Sequence, residues 1–294
     1  MKVAVIGASG QLGHDVSSAF VAAGHDVTSL AHDQIEITSP ESVRDVLTRL
    51  RPDLVVNTAA FHNVDRCEAG TMPAFNVNAM GARNVAQIAN SLKAALIHIS
   101  TDYVFNGLKS RPYHEEDQPA PVNVYGTSKL AGEHFVRAAN PRHYIVRVSA
   151  IYGENPCRAK GGLNFVELML KLARERHEVR VVDDEFVTPT PTVEIAHQLV
   201  TLSQSPHYGL YHATSEGSCS WFEFAQTIFE ISGVSVRLLP AQPGDFPVKA
   251  PRPKYSVLEN AALKNRSLNV FSHWKDGLQK YLASRKATAK LTHA

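Results

Sequence analysis

Seven residues near the start of the chain restrict its fold more than any others. Gly7-Ala8-Ser9-Gly10-Gln11-Leu12-Gly13 is a GxxGxxG turn. It follows the short β-branched run Val3 to Ile6 and opens a helical pattern from Gln11 to Ala23. Gly7 permits the tight turn, Gly10 lets backbone approach a pyrophosphate, and Gly13 lets the helix pack close to the strand. The free N–H groups and the dipole of the helix then favour phosphate. On the first strand of a βαβ unit this turn predicts dinucleotide binding. A carboxylate at the end of the second strand favours NAD and an arginine favours NADP. Here the second strand, Asp26 to Leu30, runs into Ala31-His32, which offers neither. Glu36, just beyond, is either an adenosine contact or an exposed loop carboxylate, so NADP and NAD both stay open.

The remaining pattern of the first half alternates strand with helix. Ser39-Pro40-Glu41-Ser42 reads as a helix start, with Ser39 as cap and Pro40 in the first turn. Strands are expected at Asp53 to Asn57, Ala95 to Ser100 and Tyr144 to Val148, and helices at Met72 to Lys93 and Val124 to Ala138. Short apolar runs separated by helices predict an α/β fold, a Rossmann-type doubly wound parallel sheet covered on both faces. With 294 residues, the chain has room for a smaller C-terminal substrate-binding lobe. The division expected is 1–150 for the dinucleotide-binding domain, with a return segment near 190–205, and 151–294 mainly for the lobe. In that half, helices are expected over 163–176, Val193 to Ser203 and Ser220 to Ile231, and a strand at Val179 to Val182. The aromatics Trp221, Phe222, Phe224 and Phe229 read as core packing. Prolines between 240 and 253 mark a loop, and the polar tail beyond Leu282 is expected to fray.

Composition removes several classes of function. Thirty basic against 28 acidic residues leave a net charge of +2, too little to make nucleic acid or an anionic membrane a default partner. Cys67, Cys157 and Cys219 are odd in number and far apart, so neither a disulfide framework nor a zinc motif is expected. No stretch approaches the length of a membrane span, and the opening apolar run is too short for a signal peptide. A reduced, cytoplasmic protein is the expectation.

Tyr125-Gly126-Thr127-Ser128-Lys129 is a YxxxK motif. Helical residues four apart share a face, so both side chains can serve one site. Alone the motif is weak, because chance supplies such pairs in long chains. Ser100-Thr101-Asp102 strengthens it, since it sits where a strand ends, and that end of an open α/β sheet is where ligands bind.

With these blocks in order, the chain resembles the extended short-chain dehydrogenases/reductases, and within them the dTDP-4-dehydrorhamnose reductases along almost its whole length. The residues carrying the resemblance are Gly7 to Gly13, the run Ser100 to Gly107, the run Asn123 to Glu133 and the run Ala250 to Leu258. Tyr103 stands where the dehydratases of the superfamily usually carry a glutamate base, which favours simple carbonyl reduction. The resemblance implies a hydride passed from NADPH or NADH to a sugar ketone. Tyr125 would give its phenolic proton to the nascent alkoxide. Lys129 would lower the tyrosine's pKa and bond the nicotinamide ribose. Thr101 would orient the substrate oxygen. Gly7, Gly10, Gln11, Leu12 and Gly13 would line the pyrophosphate, Glu36 and Ile37 the adenosine side, and Ala59, Ala60 and Phe61 the dinucleotide after the third strand. Thr101, Asp102, Ala150 and Arg252 would meet a nucleotide-sugar substrate. A magnesium site of some relatives finds its nearest matches in Asp15 and Glu194, two lone helical carboxylates, and no metal is expected. A homodimer is compatible with the superfamily.

Three positions depart from the family's pattern. Ala150 replaces a tryptophan expected against the deoxysugar, Glu185 replaces a glutamine, and Val187 replaces a glycine. The 154–161 loop looks long, and its Arg158 and Lys160 could meet a diphosphate or simply face solvent. The substrate implied is dTDP-4-dehydro-L-rhamnose, reduced to dTDP-L-rhamnose. A different keto-sugar, a sugar-nucleotide epimerase, and a non-catalytic NADP-binding regulatory subunit of the same fold are the alternatives.

Overall fold

The computed structural model describes residues 1–156, 161–242, 244–246 and 250–291. Cys157, Arg158 and Lys160 lie outside the described residues. The chain begins β1 (Lys2–Ile6), α1 (Gln11–Ala22), β2 (Asp26–Leu30), α2 (Pro40–Leu50) and β3 (Leu54–Asn57). Two short helices follow, α3 (Val64–Ala69) and α4 (Thr71–Phe75), then a π-helical turn over Asn76–Gly81 that runs into α5 (Ala82–Ser91). Next come β4 (Ala95–Thr101), a 3₁₀ turn at Asp102–Val104, α6 (Val124–Ala139), β5 (His143–Val148) and β6 (Ile151–Tyr152). The second half contains α7 (Phe165–Glu175), β7 (Glu178–Val181), β8 (Phe186–Val187), β9 (Thr190–Pro191), α8 (Thr192–Ser203) and β10 (Gly209–His212). It closes with β11 (Cys219–Ser220), α9 (Trp221–Ser232), β12 (Arg237–Pro240), α10 (Ala261–Lys264) and α11 (Trp274–Leu291).

Six parallel strands form the central sheet in the order β2-β1-β3-β4-β5-β10, with helices on both faces. Alternation along each strand feeds two separate cores. Val3 and Val5 pack with Val16, Phe20, Ile195 and Leu199 of α1 and α8, whereas Ala4 and Ile6 pack with Val43, Leu47, Val85 and Val136 on the other face. The direction of winding reverses between β1 and β3, and a ligand crevice opens at such a switch point. The register Val3↔Leu54 through Ile6↔Asn57 ends both strands level. Gly7 and Thr58 therefore leave the sheet side by side, joined by Thr58 Oγ1 donating to the Ile6 carbonyl at 2.8 Å.

A third core gathers Tyr152, Val166, Met169, Val179, Phe224, Ile228, Trp274 and Leu278. Phe224 and Phe229 are buried, with Trp221 and Phe222 packed against them, as core packing requires. Ser220 and Glu223 cap α9 reciprocally, which explains its sharp start.

The helix expected over Met72 to Lys93 is present as one helical run from Thr71 to Ser91, with a π turn at Asn76–Gly81 inside it and Lys93 past its end at φ 60°. Two expectations need correction. The tail beyond Leu282 continues as helix to Leu291, tethered by Arg285 donating to Glu167 Oε2 at 2.5 Å. The sequence pattern assigns no strand to Gly209–His212, which pairs with β5 to become an edge of the main sheet.

Candidate active site

The glycine turn closes through Gly10 N–H donating to the Gly7 carbonyl at 2.9 Å, with Gly7 at φ 82°. A methyl group on Gly7 would lie 2.7 Å from Thr58 Oγ1 and 2.9 Å from Ala59 N, and one on Gly13 would collide with the Gly7 carbonyl. Glycine is thus a steric requirement at both positions. A methyl on Gly10 would meet only the Gly7 carbonyl, at 3.2 Å, so its outer face is open. Gly10 caps α1 without a side chain, which leaves the first-turn N–H groups for an anion. Across the crevice, Asn57 Oδ1 accepts from Ala59 N (3.2 Å). Asn78 Oδ1 accepts from Phe61 N (2.8 Å), and its Nδ2 donates to the Phe61 carbonyl and to Ser128 Oγ, both at 2.9 Å. The half-buried Ala59-Ala60-Phe61 segment is therefore fixed from β3 on one side and from the π turn on the other. This open-faced, glycine-lined cradle fits a dinucleotide.

The other cofactor-side residues divide by what their side chains do. Gln11 Nε2 donates to the carbonyls of Gly153 (3.2 Å) and Asn155 (3.0 Å), so it anchors the loop after β6. Leu12 and Ile37 are both buried core residues, at 5% exposure each. Their backbones are what a cofactor could meet. Glu36 Oε1 accepts from Thr38 N (2.8 Å) and Thr38 Oγ1 (2.9 Å). Burial works upward on this carboxyl, but the Thr38 bonds and the nearby His32 outweigh it and hold it below its ordinary range.

Tyr125 and Lys129 stand one turn apart on α6, whose N-terminus Asn123 caps through Oδ1 to Gly126 N at 2.8 Å. Gly126 seats the helix against the Tyr103 carbonyl, where any side chain would collide. The Tyr125 phenol faces the side chain of Thr101, the last residue of β4, and its ring meets Tyr103 edge-on at 6.0 Å. Loss of water pushes the phenol above its ordinary range, with Asp102 and Cys67 adding to the rise and the neighbouring Thr101 hydroxyl opposing it. A protonated phenol is the state a reduction needs from its acid. Lys129 is buried and its Nζ donates to the Ile99 carbonyl at 2.6 Å. Burial pushes this lysine down to about 8, with Glu133 opposing.

Thr101 Oγ1 donates to Asp102 Oδ1 at 2.9 Å and accepts from Tyr103 N at 3.2 Å. Asp102 is buried, and its Oδ2 accepts from Ser149 Oγ (2.9 Å) and Ser256 Oγ (2.6 Å). Burial pushes its carboxyl up and the three hydroxyls oppose the rise. Arg252 Nη2 bonds both oxygens of Asp65, at 3.2 Å each, and Nη1 donates to the Ala250 carbonyl at 3.1 Å. Ala150 follows Ser149 at φ 44°, a left-handed conformation that costs a residue bearing Cβ about 1–3 kcal/mol. Glu185 is half-buried. Burial pushes its carboxyl up, while Arg252 pulls it down. Val187 is buried and pairs with Cys219 in the β8–β11 ladder.

Asp15 accepts from Thr192 Oγ1 (2.5 Å) and Asn155 Nδ2 (3.3 Å), whereas Glu194 engages Ser272 (2.6 Å), Ser215 (3.4 Å) and Lys280 (3.7 Å). Among the described residues no three His, Cys, Asp or Glu side chains gather as a metal set. No helix among them is long and apolar enough to cross a membrane.

Sequence reasoning missed Asp65, Asn78, Asn123, Ser149 and Ser256. Asn123 carries a local signal, a capping residue just before a helix. The others act on partners distant in sequence and leave no local pattern.

The model of the RmlD substrate binding domain family matches residues 1–287. The chain is 40% identical over 286 residues to the spore coat polysaccharide biosynthesis protein SpsK of Bacillus subtilis (strain 168), covering 97% of this chain and 98% of that protein. It is 36% identical over 276 residues to a dTDP-4-keto-6-deoxy-D-glucose reductase of Streptomyces niveus, covering 93% and 94%. A crystal structure of dTDP-4-dehydrorhamnose reductase from Bacillus anthracis str. Ames in complex with NADP superposes with a TM-score of 0.92 at 36% identity, covering 96% of this chain and 99% of that one.

Proposed function

The chain belongs to the RmlD substrate binding domain family, and from that premise we propose that it is a cytoplasmic NADPH- or NADH-dependent reductase of a nucleotide-linked 4-keto-6-deoxysugar, with dTDP-4-dehydro-L-rhamnose as substrate and dTDP-L-rhamnose as product. The observation that carries the reading is the meeting of Thr101, Tyr125 and Lys129 at the end of β4, beside the crevice that the glycine turn opens.

NADPH or NADH would supply the hydride for the ketone carbon. The first turn of α1 and the Ala59-Ala60-Phe61 segment would hold the dinucleotide. Tyr125, protonated at neutral pH, gives its phenolic proton to the ketone oxygen as the C=O π bond breaks, and regains a proton from solvent. Thr101 orients that oxygen against Tyr125. Lys129, one turn along α6 with its Nζ on the Ile99 carbonyl, would bond a ribose hydroxyl. Arg252 offers its guanidinium to the substrate's diphosphate.

The test is consumption of NADPH, and separately NADH, on adding dTDP-4-dehydro-L-rhamnose, with Tyr125→Phe as control. Turnover should fall about 10²- to 10⁴-fold in the variant, with cofactor binding retained. An inert wild type, or an undiminished variant, overturns the reading.

Ala150 and Glu185 favour a second reading, reduction of dTDP-4-keto-6-deoxy-D-glucose, the sugar named for the Streptomyces niveus relative. Ala150 removes a large surface against the deoxysugar, and Glu185 adds a half-buried carboxylate near Arg252. Turnover of that sugar alone would select it.

A further inference from the structure

Asp102 is 4% exposed, yet hydroxyls from three separate segments converge on its carboxylate. Oδ1 takes Thr101 at the end of β4, and Oδ2 takes Ser149 from the β5–β6 turn and Ser256 from the 250–258 loop. In all three bonds the hydroxyl donates and the carboxylate accepts, so each hydroxyl commits its proton to Asp102. Thr101 Oγ1 is left with lone pairs, one of which accepts from Tyr103 N. Thr101 can donate to a substrate oxygen only by turning its proton away from Asp102.

Stripping a donor from a buried carboxylate is costly. With Ser256 in place, Asp102 keeps two donors after Thr101 turns. Without Ser256 it keeps only Ser149. Ser256 belongs to a loop that also reaches the site at two other points. Asn123 Nδ2, from the α6 cap, donates to the Pro251 carbonyl at 2.9 Å, and Arg252 pairs with Asp65.

We propose that Asp102 is a positioning residue that couples docking of the 250–258 loop, through Ser256, to release of the Thr101 hydroxyl toward substrate. The loop carries Arg252, so one segment presents the anion-binding group to the cleft and supports the donor at the reacting oxygen. The coupling rests on Thr101 orienting the ketone oxygen, as in the proposed function. The titratable groups facing Asp102 are the phenols of Tyr103 and Tyr125, both pushed above their ordinary range and uncharged near neutral pH.

The test compares wild type with Ser256→Ala, Ser256→Thr and Thr101→Val. In Ser256→Ala, kcat should fall about ten-fold with NADPH affinity unchanged. The acid limb of its kcat profile should move to higher pH, because Asp102 has lost a donor. Ser256→Thr should restore both. Amide hydrogen exchange over 250–258, measured without substrate, should speed up in Ser256→Ala. It should slow in Thr101→Val, because Asp102 then depends more on Ser256 and coupling is reciprocal. Unchanged loop exchange in Thr101→Val, or a loosened loop with unchanged kcat and acid limb in Ser256→Ala, overturns the coupling. If wild type reduces no keto-sugar, the proposed function fails, and the two exchange measurements decide the coupling by themselves.

Discussion

Arg147 holds Glu133 through two charge-assisted hydrogen bonds, Nε to Oε1 at 2.9 Å and Nη2 to Oε2 at 2.7 Å, with neither side chain more than 2% exposed. Glu133 lies one turn beyond Lys129 on α6 and also accepts from Ser100 Oγ at 2.5 Å. Arg147 sits over the Phe105 ring at 5.1 Å and reaches His212 Nε2 at 3.4 Å. Burial pushes His212 down to about 3, so it stays neutral. The pair thus welds α6 to β5 directly behind the candidate catalytic lysine.

A buried pair of this kind is worth little against an apolar replacement, but leaving either charge alone costs about 3–5 kcal/mol. Glu133→Gln and Arg147→Met should each lose roughly that much stability. The double variant should lose clearly less than the sum, because it strands no charge. Urea unfolding of all four proteins measures the difference. Strict additivity would mean that the two groups do not sense each other.

Lys129 stores instability that pH can release. Its pKa is about 8 in the fold against 10.5 for an ordinary lysine. Between those values the unfolded chain binds a proton that the folded chain does not, so stability rises with pH across that window. Below it, the buried ammonium costs about 3 kcal/mol. Lys129→Met should therefore be more stable than wild type near neutral pH by about 1–3 kcal/mol, after allowing for the lost bond to Ile99. The advantage should shrink toward alkaline pH, and turnover should be lost. Paired unfolding curves from neutral to alkaline pH check it. A constant gap would mean that Lys129 is not the titrating group.

What could be read from the chain without its fold follows from the range over which each constraint acts. Gly7 and Gly13 are legible because a strand-to-helix turn imposes its own sterics within seven residues. Tyr125 and Lys129 are legible because a helix brings residues four apart to one face. Asp102 and Ser256 are 154 residues apart and meet only through the tertiary fold, so no local pattern marks them as partners. The π turn is hidden for a related reason. Asn76 to Gly81 has ordinary helical periodicity, and the turn becomes visible only where Gly132 of α6 packs against the Asn78 carbonyl. Strand β10 is four residues, Gly-Leu-Tyr-His, too short to declare itself without the ladder that β5 provides.

On the proposed role of Arg252, its pairing with Asp65 would compete with capture of the substrate's diphosphate by the same guanidinium. Both side chains are about one-third exposed, at 32% and 36%. An ion pair that open contributes about 0–1 kcal/mol, so substrate can displace it cheaply. A nucleotide-sugar diphosphate that takes Arg252 must first pull it from Asp65. Asp65→Asn should therefore lower KM by about two- to five-fold, the worth of the displaced pair, with stability nearly unchanged. Arg252→Ala should raise KM by about ten-fold or more, the loss of a hydrogen bond to a charged group. Added salt weakens exposed pairs, so it should narrow the difference between Asp65→Asn and wild type. Initial rates across substrate concentration at two ionic strengths measure all three. If Asp65→Asn raises KM instead, the carboxylate holds Arg252 in position for the substrate rather than competing with it.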